Sequence, residues 1–168
     1  MEIILLTLEI IIALILVSAT LSTLFGAPYY PSNDLAVKRI LKLAKLKEKD
    51  RIIEIGSGGG KIVIALAQRG YKVTGIEINP FLVIFSKIRI KRAGLSDKAE
   101  IKWGNLWQQS FKDYNILICY LFPVTMDKLY DKLKKELKPG SKIVSNSFKI
   151  KKLKIQNSEG KVYLYKIN

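Results

Sequence analysis

The glycine-rich stretch EIGSGGGK, residues 54–61, is the first feature with the means to do chemistry. Its glycines, Gly56, Gly58 and Gly60, let the backbone turn tightly and approach a ligand with no Cβ in the way. The spacing is not G-x-G-x-x-G, because Lys61 stands where the third glycine would be. Taken alone, the stretch therefore predicts either a ligand-binding loop or a tight strand-to-helix turn that holds no ligand.

A carboxylate downstream favours a ligand that contains a ribose. Glu77, in the sequence GIEINP, follows Glu54 by about 20 residues, the spacing at which a carboxylate accepts hydrogen bonds from ribose hydroxyls in nucleotide-binding folds. If no ligand binds, Glu77 is instead a surface charge at the start of a loop. The pair of features leaves nicotinamide dinucleotides and S-adenosylmethionine as the two cofactor classes to separate.

Glu54 favours S-adenosylmethionine. A dinucleotide would place an anionic pyrophosphate on this loop, where a carboxylate two residues before the first glycine raises the electrostatic cost. S-adenosylmethionine has no phosphate, and a carboxylate attracts its sulfonium and α-ammonium groups. Tyr130 and Lys134 have the Y-x-x-x-K spacing that is typical of short-chain dehydrogenases, which would favour a dinucleotide. This signal is disfavoured, because solvent-facing i,i+4 pairs are ordinary on a lysine-rich helix.

Composition excludes several other kinds of site. The 168-residue chain has no histidine and one cysteine, so it has no imidazole base, no histidine-ligated metal and no internal disulfide. Cys119 is interpreted as a small buried hydrophobe at the end of a strand. The net charge of +15 predicts either a solvated lysine-rich surface, attraction to anionic lipid headgroups or, less favoured, binding to RNA.

The elements that must position these residues alternate between strands and helices. The predicted strands are 51–55, 71–76, 99–103, 115–120 and 142–148, and the predicted helices between them are 61–69, 81–92 and 124–137. Strands joined by crossover helices predict an α/β fold with a Rossmann-like, mostly parallel sheet. Two last strands, 152–156 and 162–167, are predicted to form a C-terminal β-hairpin around a turn at 157–160.

The first 27 residues are predicted to be a single transmembrane anchor. From Ile3 to Phe25 the chain is apolar apart from Glu9 and a few hydroxyl residues, and as a helix it would span about 34 Å. A cleaved signal peptide is disfavoured because the start is not basic, and a buried core helix because no polar face is present. Lysine and arginine flank only the C-terminal side, which predicts single-pass membrane localisation with everything after residue 27 on the cytoplasmic side.

Residues 28–50 are predicted to be a pre-domain segment that ends in an amphipathic helix. Ser32 or Asn33 can cap this helix, and Asp34 lies in its first turn.

The stretch GAPYYPSN, residues 26–33, is stiffer and more aromatic than a slack linker. Tyr29 and Tyr30 suit a collar at the lipid headgroups. The alternative is that the two prolines fix a path across the mouth of the cofactor pocket, with a tyrosine in its wall.

EIGSGGGK followed by GIEINP resembles motif I and the acidic post-I position of class I S-adenosylmethionine-dependent methyltransferases. A narrower resemblance adds the N-terminal segment, GAPYYPS, NLW at 105–107, YLFP at 120–123 and VYLYK at 162–166. Together these are similar to the membrane-anchored protein-lysine methyltransferases of the ATP synthase c-subunit and adenine nucleotide translocase type. The resemblance implies a methyltransferase domain over residues 51–168 that methylates a lysine of a membrane protein at the cytoplasmic face.

The resemblance also implies which residues hold S-adenosylmethionine. The glycine-rich loop would wrap the methionine and ribose moieties, with Glu54 near the ammonium group and Glu77 on the ribose diol. Asn105 stands where the family has an aspartate, in position to accept a hydrogen bond from the adenine amino group. The full cofactor-binding set is Glu54, Gly56, Ser57, Gly58, Gly60, Glu77, Ile78, Asn105, Leu106 and Tyr29.

The acceptor cavity is implied in the same way. Tyr120, Phe122, Pro123 and Asn146 would line it, and Phe148 would face it, although the aromatic residues fit an ordinary core equally well. No general base and no metal are assigned. The short connection after the fifth strand leaves no room for a helix, so the pocket is expected either to be open or to be completed by something else.

Two other kinds of function remain alternatives. One is a methyltransferase acting on a lipid, another small molecule or RNA. The other is a non-catalytic membrane adaptor that keeps the fold. Against RNA, the sequence lacks an N-P-P-Y type motif after the fourth strand.

Overall fold

The computed structural model describes residues 1–25 and 32–167, without the side-chain surroundings of residues 14–15, 18–19 and 21–25. The helices are α1 (Glu2–Phe25), α2 (Asp34–Ala44), α3 (Lys61–Ala67), α4 (Pro80–Arg92) and α5 (Pro123–Glu136). The strands are β1 (Ile52–Ile55), β2 (Val73–Glu77), β3 (Ala99–Trp103), β4 (Ile116–Cys119), β5 (Lys142–Asn146), β6 (Asn157–Glu159) and β7 (Val162–Lys166).

The strands form one seven-stranded sheet in the order β3-β2-β1-β4-β5-β7-β6. The first five are parallel, and β7 runs antiparallel to both β5 and β6. Every residue of β1 and β4 is buried, as expected for parallel strands covered on both faces. The prediction of an α/β fold with a mostly parallel, Rossmann-like sheet is therefore confirmed.

Helices cover both faces of the sheet. On one face, α2, α3 and α4 bury residues such as Ile40, Val63 and Ile90 in a common apolar cluster with the strands. On the other, α5 buries Met126 and Leu129 in a second cluster. The two layers fix the strands, so their carboxyl ends present a rigid edge.

The C-terminal hairpin is present, but its first strand was predicted in the wrong place. Residues 152–156 are not a strand, and three residues of the predicted turn form β6 instead. Asn157, Ser158 and Glu159 read as turn residues by composition, yet they pair with β7 at the outer edge of the sheet, where polar side chains remain hydrated. The turn itself falls one step later, at Gly160, whose φ of 59° is left-handed.

Helix α2 packs against this sheet. Its N-cap is Asn33, whose Oδ1 accepts a hydrogen bond from the amide of Ala36 at 2.7 Å. At its other end the ammonium group of Lys142 donates to the carbonyl of Ala44 at 2.8 Å. Helix α2 contacts α3, β5, β6 and β7, so the helix is held against the sheet.

The predicted transmembrane anchor is wrong. A membrane span needs about 20 predominantly apolar residues in one helix. Among the residues that the structure describes, no helix is both long enough and apolar enough to cross a membrane. The predicted single-pass membrane localisation, with a catalytic domain on the cytoplasmic side, depended on that anchor and is wrong with it. Both interpretations of Tyr29 and Tyr30 lie outside the described residues.

Candidate functional site

The glycine-rich loop connects the carboxyl end of β1 to the start of α3. The amides of Gly56 and Ser57 both donate to the carbonyl of Ile76 at 2.9 Å, which fixes the loop to the end of β2. Gly56, Gly58 and Gly60 have φ values of 71°, 52° and 75°, a left-handed backbone that other residues rarely adopt. The three glycines therefore set the path of the loop.

Glu77 holds this loop from the end of β2. Its Oε2 accepts a hydrogen bond from the amide of Gly58 at 2.8 Å, and its Oε1 accepts one from the amide of Asn79 at 2.9 Å. Asn79 in turn caps α4, because its Oδ1 accepts from the amide of Phe81 at 3.0 Å. Each carboxylate oxygen has a second lone pair, so the buried Glu77 is still able to accept a ligand hydroxyl.

Two buried polar atoms lie beside the loop without a hydrogen-bond partner among the described residues: Oε2 of Glu54 and Oγ of Ser57. A buried polar atom left unpaired costs about 1–3 kcal/mol. Gly75, in β2, leaves room for the Ser57 side chain, because a Cβ there would lie 2.7 Å from Ser57 Oγ. Both atoms are therefore available to a polar ligand.

The Glu54 carboxyl is perturbed electrostatically. Burial raises its pKa well above the ordinary value, a backbone hydrogen bond from Val63 opposes this, and the nearby charge of Glu77 raises it further. A cation placed beside Glu54 would reverse this shift, because it favours the ionised carboxylate.

Two further predicted cofactor residues, Asn105 and Leu106, lie in the turn after β3, and a third, Ile78, directly follows β2. The carbonyl of Ile78 accepts a hydrogen bond from the indole Nε1 of Trp103 at 2.9 Å. Asn105 Oδ1 accepts a hydrogen bond from the amide of Trp107 at 3.0 Å. Leu106, the residue between these two, is buried. Asn105 thus already holds its own turn, and its oxygen has one further lone pair for a ligand.

Three aromatic rings meet beyond the ends of β4 and β5. The ring of Phe148 lies 6.0 Å, centroid to centroid, from that of Tyr120 and 6.0 Å from that of Phe122, the latter edge-on at 61°. Tyr120 and Phe148 are half-buried and Phe122 is exposed. Pro123 is the first residue of α5, so it fixes the backbone directly after Phe122. The aromatic residues that were predicted to line or face the acceptor cavity therefore lie close together.

Asn146, at the end of β5, connects this cluster to the segment before α2. Its Nδ2 donates to Ser32 Oγ at 3.3 Å, and both residues are buried. A second link joins α2 to α3, where Lys61 Nζ lies 2.8 Å from Asp34 Oδ1 and lowers the pKa of that carboxyl. The predicted cofactor residue Tyr29 precedes Ser32 in sequence and lies outside the described residues.

Cys119 is buried at the end of β4. Burial raises the pKa of its thiol to about 12, so the thiolate is not populated at neutral pH. The sequence interpretation of Cys119 as a small buried hydrophobe therefore fits the structure.

Several contacts around the site were missed by the sequence interpretation. Asn79 was detectable, because an asparagine followed by Pro80 is typical of an N-cap and first helical residue. Ser32, Trp103 and Arg89 carried no such signal, because each acts across a long sequence separation. The Arg89 guanidinium, for example, donates to the carbonyl of Gly59.

The glycine-rich loop, Glu77, Asn105, Tyr120 and Asn146 lie at or just after the carboxyl ends of the parallel strands. The strand order reverses between β1 and β4, so the glycine-rich loop lies on one side of the reversal and Tyr120 on the other. In open α/β sheets, ligands bind in the crevice at this point. The site therefore combines the glycine-rich loop with an aromatic cluster on the other side of the reversal in strand order.

The opposite, amino-terminal edge of the sheet contains an open groove of about 600 Å³. Its lining carries charges of both signs, including Lys72, Asp97 and Glu100. Asp50 is buried there with both oxygens paired: Oδ2 accepts from the amide of Lys47 at 2.7 Å and Oδ1 from Asn115 Nδ2 at 2.8 Å.

Comparison with known proteins identifies relatives of this chain. The family model for the ANTKMT methyltransferase domain matches residues 54–157. A protein-lysine N-methyltransferase of Saccharolobus islandicus (strain REY15A) is 31% identical, over 83% of this chain and 93% of its own. The lysine N-methyltransferase of the ATP synthase c-subunit from Xenopus laevis is 34% identical over 72% of this chain and 53% of its own, so the chain spans about half that relative's length.

A solved structure is similar over most of the chain. It is the RNA methyltransferase of Salinibacter ruber in complex with S-adenosyl-L-homocysteine, with a TM-score of 0.79 and 32% sequence identity. The match covers 82% of this chain and 94% of that one.

Proposed function

The chain belongs to the ANTKMT methyltransferase domain family, within the class I S-adenosylmethionine-dependent methyltransferases, and we propose that it methylates a lysine side chain of a protein. The observation that carries the proposal is the aromatic cluster of Tyr120, Phe122 and Phe148. Leu121, between the first two in sequence, meets the glycine-rich loop, because a Cβ at Gly56 would lie 3.4 Å from its Cδ2. The cluster is a surface suited to a lysine side chain, which combines an apolar stem with a cationic head.

The residues of the loop fit S-adenosylmethionine. Glu54 Oε2 and Ser57 Oγ are buried without a partner in the part of the chain that the structure describes, which suits an ammonium or hydroxyl group of a ligand. We assign Glu54 to the ammonium group and Glu77 to the ribose hydroxyls. The remaining contacts are assigned to Gly56, Gly58, Gly60, Ile78, Asn105 and Leu106.

When bound, S-adenosylmethionine supplies a methyl group on a sulfonium, a leaving group that needs no further activation. The chain has to position the nucleophile, and positioning of this kind is worth about 7–11 kcal/mol in favourable cases. Phe122 and Phe148 contribute walls on which the lysine stem can pack, with Pro123 fixing the backbone beside them.

The acceptor lysine must lose its proton before it can react. Desolvation between aromatic rings lowers the pKa of an ammonium group, so the cluster shifts the lysine toward the neutral amine. Phe122 is exposed, so the proton can leave to water at the open side of the cluster. Asn146 is assigned to the cavity wall, and no residue of the chain is assigned as a general base.

The test uses the full chain with methyl-labelled S-adenosylmethionine and a mixture of lysine-bearing protein, RNA and lipid vesicles. We expect label in the protein fraction, and mass spectrometry of tryptic peptides should place added methyl groups on lysine. Label confined to lipid would contradict the proposal. No label in any fraction, with S-adenosylhomocysteine still bound in calorimetry, would favour the non-catalytic alternative.

RNA is a second candidate acceptor. The Salinibacter ruber relative is named an RNA methyltransferase, and the net charge of +15 suits a polyanion. Label that enters the RNA fraction and is lost on ribonuclease treatment would select this function instead.

A further inference from the structure

Helix α4 is apolar on two opposite faces. Val83 and Ile90 are buried against the sheet, as expected for a helix that covers strands. On the outer face, Phe81, Ile84, Phe85 and Ile88 are 38%, 58%, 51% and 45% exposed, respectively. Helix α4 contacts β2, β3 and α1, and with these contacts in place the four residues keep the i, i+3, i+4, i+7 spacing of a helix face that can pack against a partner. We call these four residues the outer stripe.

The outer stripe is extended by an exposed aromatic at the neighbouring strand end. Trp103, at the end of β3, is 69% exposed, and its indole is fixed by the hydrogen bond to Ile78. Single exposed apolar residues are normal on protein surfaces, whereas contiguous ones mark interaction sites. The four residues of the stripe lie on one face of α4, and Trp103 ends the strand that α4 contacts.

The charge of α4 restricts what can occupy this surface. The helix carries Lys87, Arg89, Lys91 and Arg92 and no acidic residue. Two copies of the chain meeting through their outer stripes would bring these cations together, which disfavours self-association. An apolar partner segment flanked by acidic residues would instead be complementary in both respects.

The surface is directly connected to the candidate site. The Arg89 guanidinium lies 5.6 Å from the ring centroid of Phe85, in the stripe, and donates to the carbonyl of Gly59, in the glycine-rich loop. At the start of α4, Asn79 caps the helix and donates to Glu77. A segment held on the outer stripe is therefore held next to the cofactor-binding end of the molecule.

We propose that the outer stripe docks an apolar helical segment of the acceptor protein, with acidic residues of that segment facing Lys87, Lys91 and Arg92. This inference rests on the proposed lysine methyltransferase function and names its substrate class. Docking away from the reacting lysine raises the residence time of the acceptor without changing the methyl-transfer step.

The test compares two synthetic acceptor peptides that share one lysine-bearing segment. The first is short and polar. The second adds a leucine-rich amphipathic helix with glutamates on its polar face. We expect the full-length chain to methylate the second peptide with the lower KM. The variant Ile84→Ser/Ile88→Ser, which leaves Phe85 and Arg89 intact, should raise that KM by about tenfold to a hundredfold, because each isoleucine is already partly shielded from water and loses only the remaining part of its burial.

The other parameters should remain unchanged. The double variant should keep the kcat for both peptides, the KM for the polar peptide and the affinity for S-adenosylhomocysteine. Leu35→Ser, which replaces an equally exposed apolar residue on α2, serves as the matched control and should leave both KM values unchanged.

Three outcomes would overturn the inference. Equal KM values for the two peptides would remove the docking surface and leave the proposed function intact, whereas no methylation of either peptide would remove both. If the double variant instead lost binding to phosphatidylglycerol vesicles with no change in either KM, the stripe would be a lipid contact and not a protein-docking surface.

Discussion

The carboxyl edge of the sheet buries Glu54 beside Ser57, and the amino edge buries Asp50 beside Asn115. At the amino edge both oxygens of Asp50 are paired with donors of the chain itself. At the carboxyl edge one oxygen of Glu54 and the hydroxyl of Ser57 have no partner among the described residues. Both sites place a buried carboxylate beside a polar side chain at an edge of the same sheet. They differ in whether the described residues supply hydrogen-bond partners for those polar groups.

This difference separates a structural carboxylate from a ligand-binding one. Buried polar groups are normally hydrogen-bonded, so a satisfied network such as that of Asp50 stabilises the fold and has little left for a ligand. Unpaired groups reduce stability until a ligand meets them. Glu77 lies between these extremes, because it holds the loop and still has lone pairs to offer.

The largest effect is expected from Glu77→Ala. The substitution removes the acceptor for two amides and, in the proposed complex, for the ribose hydroxyls. Hydrogen bonds to charged groups contribute about 1.5–3 kcal/mol each, so cofactor affinity should fall at least about a hundredfold. Isothermal titration calorimetry with S-adenosylhomocysteine measures this. Glu77→Gln, which keeps the shape, is the matched variant if the alanine form folds poorly, and an unchanged affinity in both would remove Glu77 from the site.

Asp50→Ala should change stability and not binding. It leaves the Lys47 amide and the Asn115 side chain without their acceptor, so the free energy of unfolding should fall by about 2 kcal/mol. Urea denaturation measures the loss. The affinity for S-adenosylhomocysteine should be that of the unaltered protein; a weakened affinity would show that the two edges are not independent.

Glu54→Gln should weaken binding and stabilise the protein without ligand. Loss of the carboxylate should lower cofactor affinity about tenfold, a change of about 1.4 kcal/mol. The raised pKa of Glu54 means that its contribution to stability is present below the pKa of the unfolded chain and is lost as pH rises through the folded-state pKa. The variant should therefore gain in Tm over the unaltered protein as pH increases.

The same carboxyl predicts a pH dependence of binding. The ligand ammonium favours ionised Glu54, so binding should release a proton, and affinity should fall as pH is lowered through the raised pKa of Glu54. Calorimetry in buffers of different ionisation enthalpy counts the protons released. Glu54→Gln should show no such release; an identical release in the variant would assign it to another group.

The smallest effect is expected from Lys61→Met. The pair with Asp34 is exposed, and exposed ion pairs contribute little and are screened by salt. Cofactor affinity should change by no more than about twofold, and less at high salt. A larger loss would place Lys61 in the binding site itself and not in the contact between α2 and α3.

The sequence predicted the fold better at its centre than at its ends. Strands such as β1 and β4 are continuous apolar runs between turn signals, so their pattern and their place in a parallel sheet were both legible. The hairpin was misplaced because Asn157 and Ser158 have turn composition while forming an edge strand. The transmembrane helix was predicted from the length and apolar content of residues 3–25, and the described helices do not have the length and apolarity for a span.

For the candidate site, the sequence predicted residue types and not their partners. Glu54, the glycines and Glu77 were identified because their spacing follows a local pattern. The pairing of Asn146 with Ser32, which are far apart in sequence, depends on how α2 packs against β5 and β7, and no local pattern encodes that. Likewise, nothing in the sequence indicated that Oε2 of Glu54 would find no hydrogen-bond partner within residues 1–25 and 32–167.

The thiol of Cys119 can report on transient separation of the central strands of the sheet. Cys119 is the chain's one cysteine, and its register places it beside Ile55 of β1 and Ser145 of β5, at the centre of the sheet. Because the thiol is buried and its pKa is about 12, reagents can label it only in molecules whose central strands have separated. The labelling rate therefore measures how often the sheet opens, with no dye or tag introduced, and a bound ligand that bridges β1 and β4 should slow it.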